Sequence, residues 1–318
     1  MESLCSSCRR VTRIEGGFCR FCGVNLNPSL GVRLRDYQAP EDREAISNLD
    51  MATMLLPLIQ QVTEPARRSI EDKLLRSSFS LEKVPNVLEC AERCARILGL
   101  DRFPKLYVVG HRVPNAFAFG SDEKPSIALT IGLLKMIRRE AELRVILGHE
   151  MGHIKSKHLS YHMLAEALAE GTSYLGFFML GRDLLSLPLR MLLLAWHRNS
   201  EVTADRASLI TSGDVDAVKS TIALPLISKL PPDEAEAALK RGEDGLLQRL
   251  GGLLITHPSA QGRINRVEEF YGSAEYRKIA LELWEKRLML SQLLCCRFCG
   301  EPNLNGESFC PSCGRCQV

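Results

Sequence analysis

The 318-residue chain has no apolar run of the ~20 residues that a membrane-crossing helix needs. In the apolar stretch 159–197 the longest uncharged run, Gly171 to Gly181, has eleven residues. That length argues against a transmembrane hairpin and favours an amphipathic pair that packs on the core or rests on a membrane surface. A strong charge of either sign is also missing. The formal net charge is +3, from 41 Lys and Arg against 38 Asp and Glu, and it argues by itself for neither nucleic acid nor lipid. The opening Met1-Glu-Ser-Leu-Cys5 lacks a basic region followed by an apolar run, so no secretory signal is read there. Cysteine is nearly absent from the middle, where only Cys90 and Cys94 fall between residues 22 and 295.

The other ten of the twelve cysteines crowd the two ends. Cys5-x-x-Cys8 and Cys19-x-x-Cys22-Gly23 are separated by ten residues, and Cys296-x-x-Cys299-Gly300 and Cys310-x-x-Cys313-Gly314 repeat the arrangement. Each pair forms a knuckle, and two knuckles brought together by a hairpin make a closed tetrahedral zinc site with no open position for chemistry. Clustered thiols without a secretory signal read as metal sites in a reducing compartment, here the cytoplasm, rather than as disulfides. Cys295 and Cys316 leave a second register open at the C-terminus, but Gly314 follows the Cys310/Cys313 pair as Gly23 and Gly300 follow theirs. The ribbons staple segments too short to fold alone, or dock a partner. Residues 1–35 carry six arginines against Glu2 and Glu15, an excess that a zinc–tetrathiolate site partly cancels, so a protein partner is favoured over nucleic acid. Cys90 and Cys94, four apart on a helix, read as half-buried core residues.

Between the ends, 45% hydrophobic and 25% charged residues describe an ordinary globular protein. Apolar spacing predicts helices over Glu41–Gln61 and, opened by Pro85 and closed by Gly99, over Val87–Leu98. After Pro104 the period changes to two. Strands are expected at Lys105–Val109, Asn115–Phe119 and Ser126–Thr130, with Asp122 to Pro125 as a loop. Helices follow at Leu133–Arg139, Ala141 to about His158, Asp214–Ile227, Pro232–Arg241, Gln261–Tyr271 and Glu275–Leu294.

The central helix carries His149-Glu150-Met151-Gly152-His153. Histidines four apart share one helix face, so both imidazoles reach one ion, while Glu150 reaches a metal-bound water without being a ligand. Further on, Glu201 and Asp205 also lie four apart. Glu201 can complete a His-His-Glu site that keeps a position for water, and Asp205 can accept a hydrogen bond from the outer nitrogen of a ligand imidazole. His111, His158, His162 and His197 lack partners at ligand spacing and read as structural or exposed.

In four blocks over roughly residues 100–270 the chain resembles the HtpX-like and CaaX-prenyl-protease group of zinc metallopeptidases. The blocks are Asn115-Ala-Phe-Ala, His149-Glu-x-x-His153, Glu201-x-x-x-Asp205 and His257-Pro-Ser…Arg263-Ile. The resemblance implies zinc on His149, His153 and Glu201, Glu150 as catalytic acid/base, and Asn115, Ala116 and Phe117 on a substrate-binding edge strand. The terminal ribbons are not part of that family's core pattern. His257, beside the rigid Pro258, is either an oxyanion donor, a fourth zinc ligand in a resting state, or a capping or surface histidine.

The expected fold is α+β and mostly helical. A zincin-like metallopeptidase core spans 31–290, with a small sheet beside the active-site helix, flanked by zinc ribbons at 1–30 and 291–318. The expected cofactors are three zinc ions, one catalytic and two structural. The expected function is a metalloendopeptidase acting on polypeptides, with a role in quality control and peripheral membrane contact through 159–197 as the one lipid route. The alternative is a silent or latched scaffold that binds protein partners through its ribbons.

Overall fold

The computed structural model describes residues 2–5, 7–13, 17–26, 31–50, 68, 71, 72, 78, 79, 84–157, 159, 161, 187–227 and 260–291. The second ribbon, His257, the Pro232–Arg241 helix and most of 159–186 lie outside them.

Beyond Pro104, β-branched and aromatic residues alternate, and the chain forms β4 (Lys105–Val109), β5 (Ala116–Ser121) and β6 (Lys124–Thr130). With the two-residue β3 (Ser78–Phe79) they make a sheet in the order β3-β4-β6-β5. β6 runs parallel to β4 and antiparallel to β5, so it is central, and Ile127, Ala128 and Leu129 are at most 1% exposed. The 122–125 loop is tighter than its sequence suggests: Ser121 pairs with Lys124 and the two strands join as a hairpin. Among the described strands, this leaves β5 at the sheet edge. A separate antiparallel pair, β1 (Glu2–Leu4) and β2 (Val11–Arg13), begins the chain.

The helices are α1 (Pro40–Asp50), α2 (Pro85–Ile97), α3 (Ile131–Met136), α4 (Glu140–Lys155), α5 (Leu187–Ser212), α6 (Val215–Ile227), α7 (Ala260–Tyr271) and α8 (Ala274–Ser291). Their ends follow local chemistry. Pro85 opens α2, and Gly99 at φ +58° stops the chain from continuing it. Thr130 Oγ1 accepts the Leu133 amide to cap α3, and the Glu142 carboxylate accepts the Arg138 amide where α4 begins. The Glu201 segment and the apolar run before it read as separate pieces in sequence, yet they form one helix of 26 residues. The polar break at 197–200 does not interrupt it because His197 and Ser200 are buried, with Ser200 Oγ donating to the His197 carbonyl at 2.8 Å.

α4 and α5 cross at very short range. A Cβ at Gly148 would stand 1.9 Å from Thr211 Oγ1, and one at Gly152 would stand 2.9 Å from the Ala204 Cα and the Ala207 Cβ. Small residues on both helices therefore let the backbones meet, which brings side chains from the two helices into one site. Behind them Leu147, Met151, Leu209 and Ala207, each fully buried, join the main core with α2, α6 and α7. α1 is pinned to the far side of α5, where Thr203 Oγ1 donates to Asp42 Oδ2 at 2.7 Å and accepts the Ala39 amide.

The N-terminal cysteine hairpin docks on the corner between α2 and β4. Phe103 and Asn25 amides donate to the Gly23 and Asp101 carbonyls, at 2.7 and 2.8 Å, and Asn25 Nδ2 donates to the Leu100 carbonyl. The Phe18 and Phe103 rings pack 5.5 Å apart. The same corner holds the end of α4: Lys155 Nζ donates to the Gly99 carbonyl, and Lys157 pairs with Asp101 at 2.6 Å. No described helix is long and apolar enough to cross a membrane.

Candidate metal centre and substrate edge

The spacing of α4 puts His149 and His153 on one face, one turn apart, with their Nε2 atoms 3.1 Å from each other and their rings edge to face. The close contact at Gly148 and Gly152 lets α5 present Glu201 to both. Its Oε2 lies 3.6 Å from His149 Nε2 and its Oε1 3.4 Å from His153 Nε2. One ligand atom from each residue falls within 4.8 Å of the others. One turn further on α5, Asp205 Oδ1 sits 3.1 Å from His149 Nδ1. A carboxylate there keeps the proton on Nδ1 and turns the lone pair of Nε2 toward His153 and Glu201. Two imidazoles and a carboxylate make the donor set of a catalytic zinc site.

Arg263, on α7, closes the site from below. Its Nε and Nη2 donate to Asp205 Oδ2 and Oδ1 at 2.7 and 2.6 Å, and its Nη1 reaches Glu201 Oε2 at 3.0 Å. Burial alone would push both carboxyls up. The Arg263 guanidinium and the histidines outweigh it, holding Glu201 well below the usual carboxylate range and lowering Asp205 as well. Burial likewise disfavours a charged His149, but its hydrogen bond to Asp205 and the Glu201 charge raise it. The charges of the site do not balance internally. Glu201 and Asp205 are buried and share one guanidinium, so with neutral histidines a negative charge is left over. A divalent cation held by His149, His153 and Glu201 would meet that excess, so the residues fit zinc.

Glu150, at 9% exposure, reaches across to the sheet. Its Oε2 accepts the Ala118 amide of β5 at 2.7 Å. That bond identifies which main-chain groups of β5 face outward, since an amide given to Glu150 is not given to β6. Asn115, expected on this strand, is exposed and lies just before it. Its amide donates to Thr130 Oγ1 and its carbonyl accepts the Thr130 amide, at 2.9 and 3.0 Å. Ala116 and Phe117 open β5 itself, and Phe117 packs on Phe119 at 5.7 Å.

The structure thus brings together Glu150, His149, His153, Glu201 and Asp205, with Ala116 and Phe117 on the strand alongside. His257 lies outside the described residues. Ala118 was not legible in the sequence because it acts through its backbone; Arg263 stood in a recognisable block but carried no spacing signal for its role.

At the N-terminus Cys5, Cys8, Cys19 and Cys22 each offer a sulfur within 4.8 Å of the others, with Cys5 to Cys22 at 3.6 Å and Cys8 to Cys19 at 3.7 Å. Burial disfavours the Cys19 thiolate, but the Cys22 and Phe21 amides and neighbouring thiols lower that thiol to about 6, as suits a metal ligand. Cys296, Cys299, Cys310 and Cys313 lie outside the described residues. Cys90 and Cys94 take the structural role expected of them. Both are buried, and Cys94 Sγ donates to the Arg144 carbonyl at 3.7 Å.

Comparison with known proteins agrees with this geometry. The model of peptidase family M48 matches residues 82–270, more than half of the chain. A protease HtpX homolog of Ralstonia pickettii is 27% identical over 239 residues, 64% of this chain and 82% of that protein. One from Streptococcus equi subsp. zooepidemicus is 30% identical over 224 residues, 60% and 75%. The plastoglobule-localized metallopeptidase 48 of Arabidopsis thaliana is 29% identical over 204 residues, 58% and 56%. No solved structure matches. With its two histidines, glutamate and outer aspartate joined across α4 and α5, the chain belongs to peptidase family M48 and is a metallopeptidase, a hydrolase of peptide bonds.

Proposed function

We propose that the chain is a zinc-dependent endopeptidase in which His149, His153 and Glu201 hold the catalytic zinc and Glu150 is the acid/base. Zinc, when bound, supplies a Lewis acid that makes water a nucleophile near neutral pH and polarises the scissile carbonyl. Glu150 takes the proton of the attacking water on its carboxylate and returns it to the leaving amine nitrogen. Asp205 fixes the His149 tautomer, and Arg263 holds Asp205 and Glu201 in place. Asn115, Ala116 and Phe117, with Ala118, offer an extended substrate a strand edge beside the acid/base. His257, three residues before α7, is assigned the donor to the developing oxyanion. The observation that carries the reading is the Ala118–Glu150 bond, which joins the acid/base to the substrate edge.

Main-chain recognition along a sheet edge is tolerant of side-chain sequence, which suits unfolded polypeptides and a place in protein quality control. The clustered free thiols suit the cytoplasm, with 159–197 as the route to a membrane surface. Two structural zinc ions, one on Cys5, Cys8, Cys19 and Cys22 and one on Cys296, Cys299, Cys310 and Cys313, complete the metal content. Glu150→Gln keeps the ligands and removes the base. It is expected to abolish cleavage of an unfolded test protein while metal analysis still returns about three zinc ions per chain, from four-coordinate structural sites and one catalytic site. Cleavage at the parent rate by Glu150→Gln would refute the assignment of the base.

A further inference from the structure

The N-terminal cysteine hairpin does not lie flat on the core. Between it and the start of β4 runs a groove of about 560 Å³, in the size range of ligand sites. Phe18, Phe21, Phe103 and Tyr107 give it an aromatic lining, with Pro104 beside them, while Arg20, Lys105 and Glu92 supply its charges. Phe21 is 49% exposed, unusual for a phenylalanine with a core beneath it. Its ring is covered by the guanidiniums of Arg10 and Arg20, whose Cζ atoms stand 5.2 and 5.5 Å from the ring centroid. A stacked guanidinium keeps its N–H edge for in-plane hydrogen bonds, and the group that matches that edge is a carboxylate.

The chain supplies an example of the same chemistry on the opposite wall. The Glu71 carboxylate meets Lys105 Nζ at 2.7 Å and the Tyr107 hydroxyl at 3.2 Å. Among the described lining residues the acid is Glu92, which is half-buried, and burial pushes its carboxyl up, so it opposes an incoming anion less than a surface glutamate would. A polyphosphate strand fits less well. A polyphosphate needs a row of cations, whereas the described cations here are few and Lys105 is already paired with Glu71.

We infer that this groove is a docking site for an acidic peptide segment, one that places an aromatic or aliphatic side chain among Phe21, Phe103 and Tyr107 and a carboxylate on Arg20. As an attachment point away from the catalytic helix it would hold polypeptide substrates, and in that use it rests on the peptidase reading. The binding step does not.

The test uses the full chain, zinc-loaded, with Glu150→Gln so that nothing is cut. Fluorescence anisotropy follows a short labelled peptide of alternating Glu and Phe, a version with Lys in place of Glu, and a single-stranded oligonucleotide. The Glu peptide is expected to bind, the Lys peptide and the oligonucleotide to bind at least about tenfold more weakly, as charge complementarity requires. Arg20→Glu and Phe21→Ala, both on exposed side chains, are each expected to weaken the Glu peptide about tenfold, a charged hydrogen bond or an aromatic contact. Lys105→Glu, on the β4 wall, checks the result without touching the cysteine hairpin. Unchanged binding in all three variants, equal binding of the Lys peptide, or tighter binding of the oligonucleotide overturns the proposal. Binding that follows this pattern in a protein whose parent cuts nothing keeps the groove and removes the peptidase reading.

Discussion

At the scale of single residues, the site depends on a cation that is not a metal. Arg263 shares its guanidinium between Asp205 and Glu201. Without it, a zinc-free chain carries buried carboxylates with no counter-charge, and removing one partner of a buried ionic group costs about 3–5 kcal/mol. Arg263→Met is therefore expected to lower the stability of the zinc-free protein by about that amount in urea titrations, and saturating zinc to recover part of the loss. An unchanged midpoint would show that Arg263 does not hold the pair. Its importance could not be read from the sequence, because Asp205 lies 58 residues away and no local period links them. His149, His153 and Glu150 were legible for the opposite reason: their geometry is that of one helix. The two middle cysteines give a second test at this scale. Burial pushes the Cys90 thiol up to about 11 and Cys94 up to about 12, so near pH 8 neither is a thiolate. In chelator-treated native protein, mass spectrometry after alkylation is expected to find label on Cys5, Cys8, Cys19 or Cys22 and none on Cys90 or Cys94 until denaturant is added.

At the scale of elements, the decisive contact is α4 against α5. Both helices supply proposed ligands, and their separation is set by Gly148 and Gly152 meeting Ala204, Ala207 and Thr211. At position 152 the nearest atom is backbone, the Ala204 Cα, so the neighbour cannot swing aside. Gly152→Ala gains helix propensity of about 1 kcal/mol, whereas overpacking of this kind costs about 1–3 kcal/mol. Gly152→Val adds two further methyls at the crossing and is expected to lose more stability than Gly152→Ala, together with zinc affinity, because Glu201 moves with α5. Isothermal titration with zinc against the thermal midpoint of each variant measures both effects, and a valine variant with parental zinc affinity would refute the spacing argument. The two glycines stood in plain view beside the histidines, but their role needs the partner helix to be known. The sheet had the same limit. Its strands were legible from alternation after Pro104, while the β4–β6 pairing skips over β5 and has no local signal, and β3 is two residues long. Thr130 shows how such an order is held, since its hydroxyl donates to the Val113 carbonyl and accepts the Asn115 and Leu133 amides, tying the start of β5 to the cap of α3.

At the scale of the whole molecule, the corner at 99–103 joins the N-terminal hairpin to the catalytic helix. On one side Gly23, Asn25 and Cys22 bond to Phe103, Asp101, Leu100 and Arg102. On the other, Lys155 and Lys157, at the end of α4, bond to Gly99 and Asp101. A hairpin whose strands are three residues long cannot hold its shape by pairing alone, and small modules of this kind depend on their metal. With the proposed zinc on the four cysteines, its loss is expected to release the corner and loosen the last turn of α4, two residues beyond His153, without removing any of the proposed catalytic ligands. Cys19→Ser, which breaks the first site and leaves the His-His-Glu set intact, separates these effects. Hydrogen exchange followed by mass spectrometry is expected to speed up at Leu100 to Phe103 and at Ile154 to Lys157, while the buried middle of α4 around Leu147 keeps the protection of the core. Were exchange at Leu100 to Phe103 the same in Cys19→Ser and parent, the hairpin would be a passenger on the peptidase. Faster exchange there makes it a clamp, one that lets metal binding at the N-terminus reach the helix that carries His149 and His153.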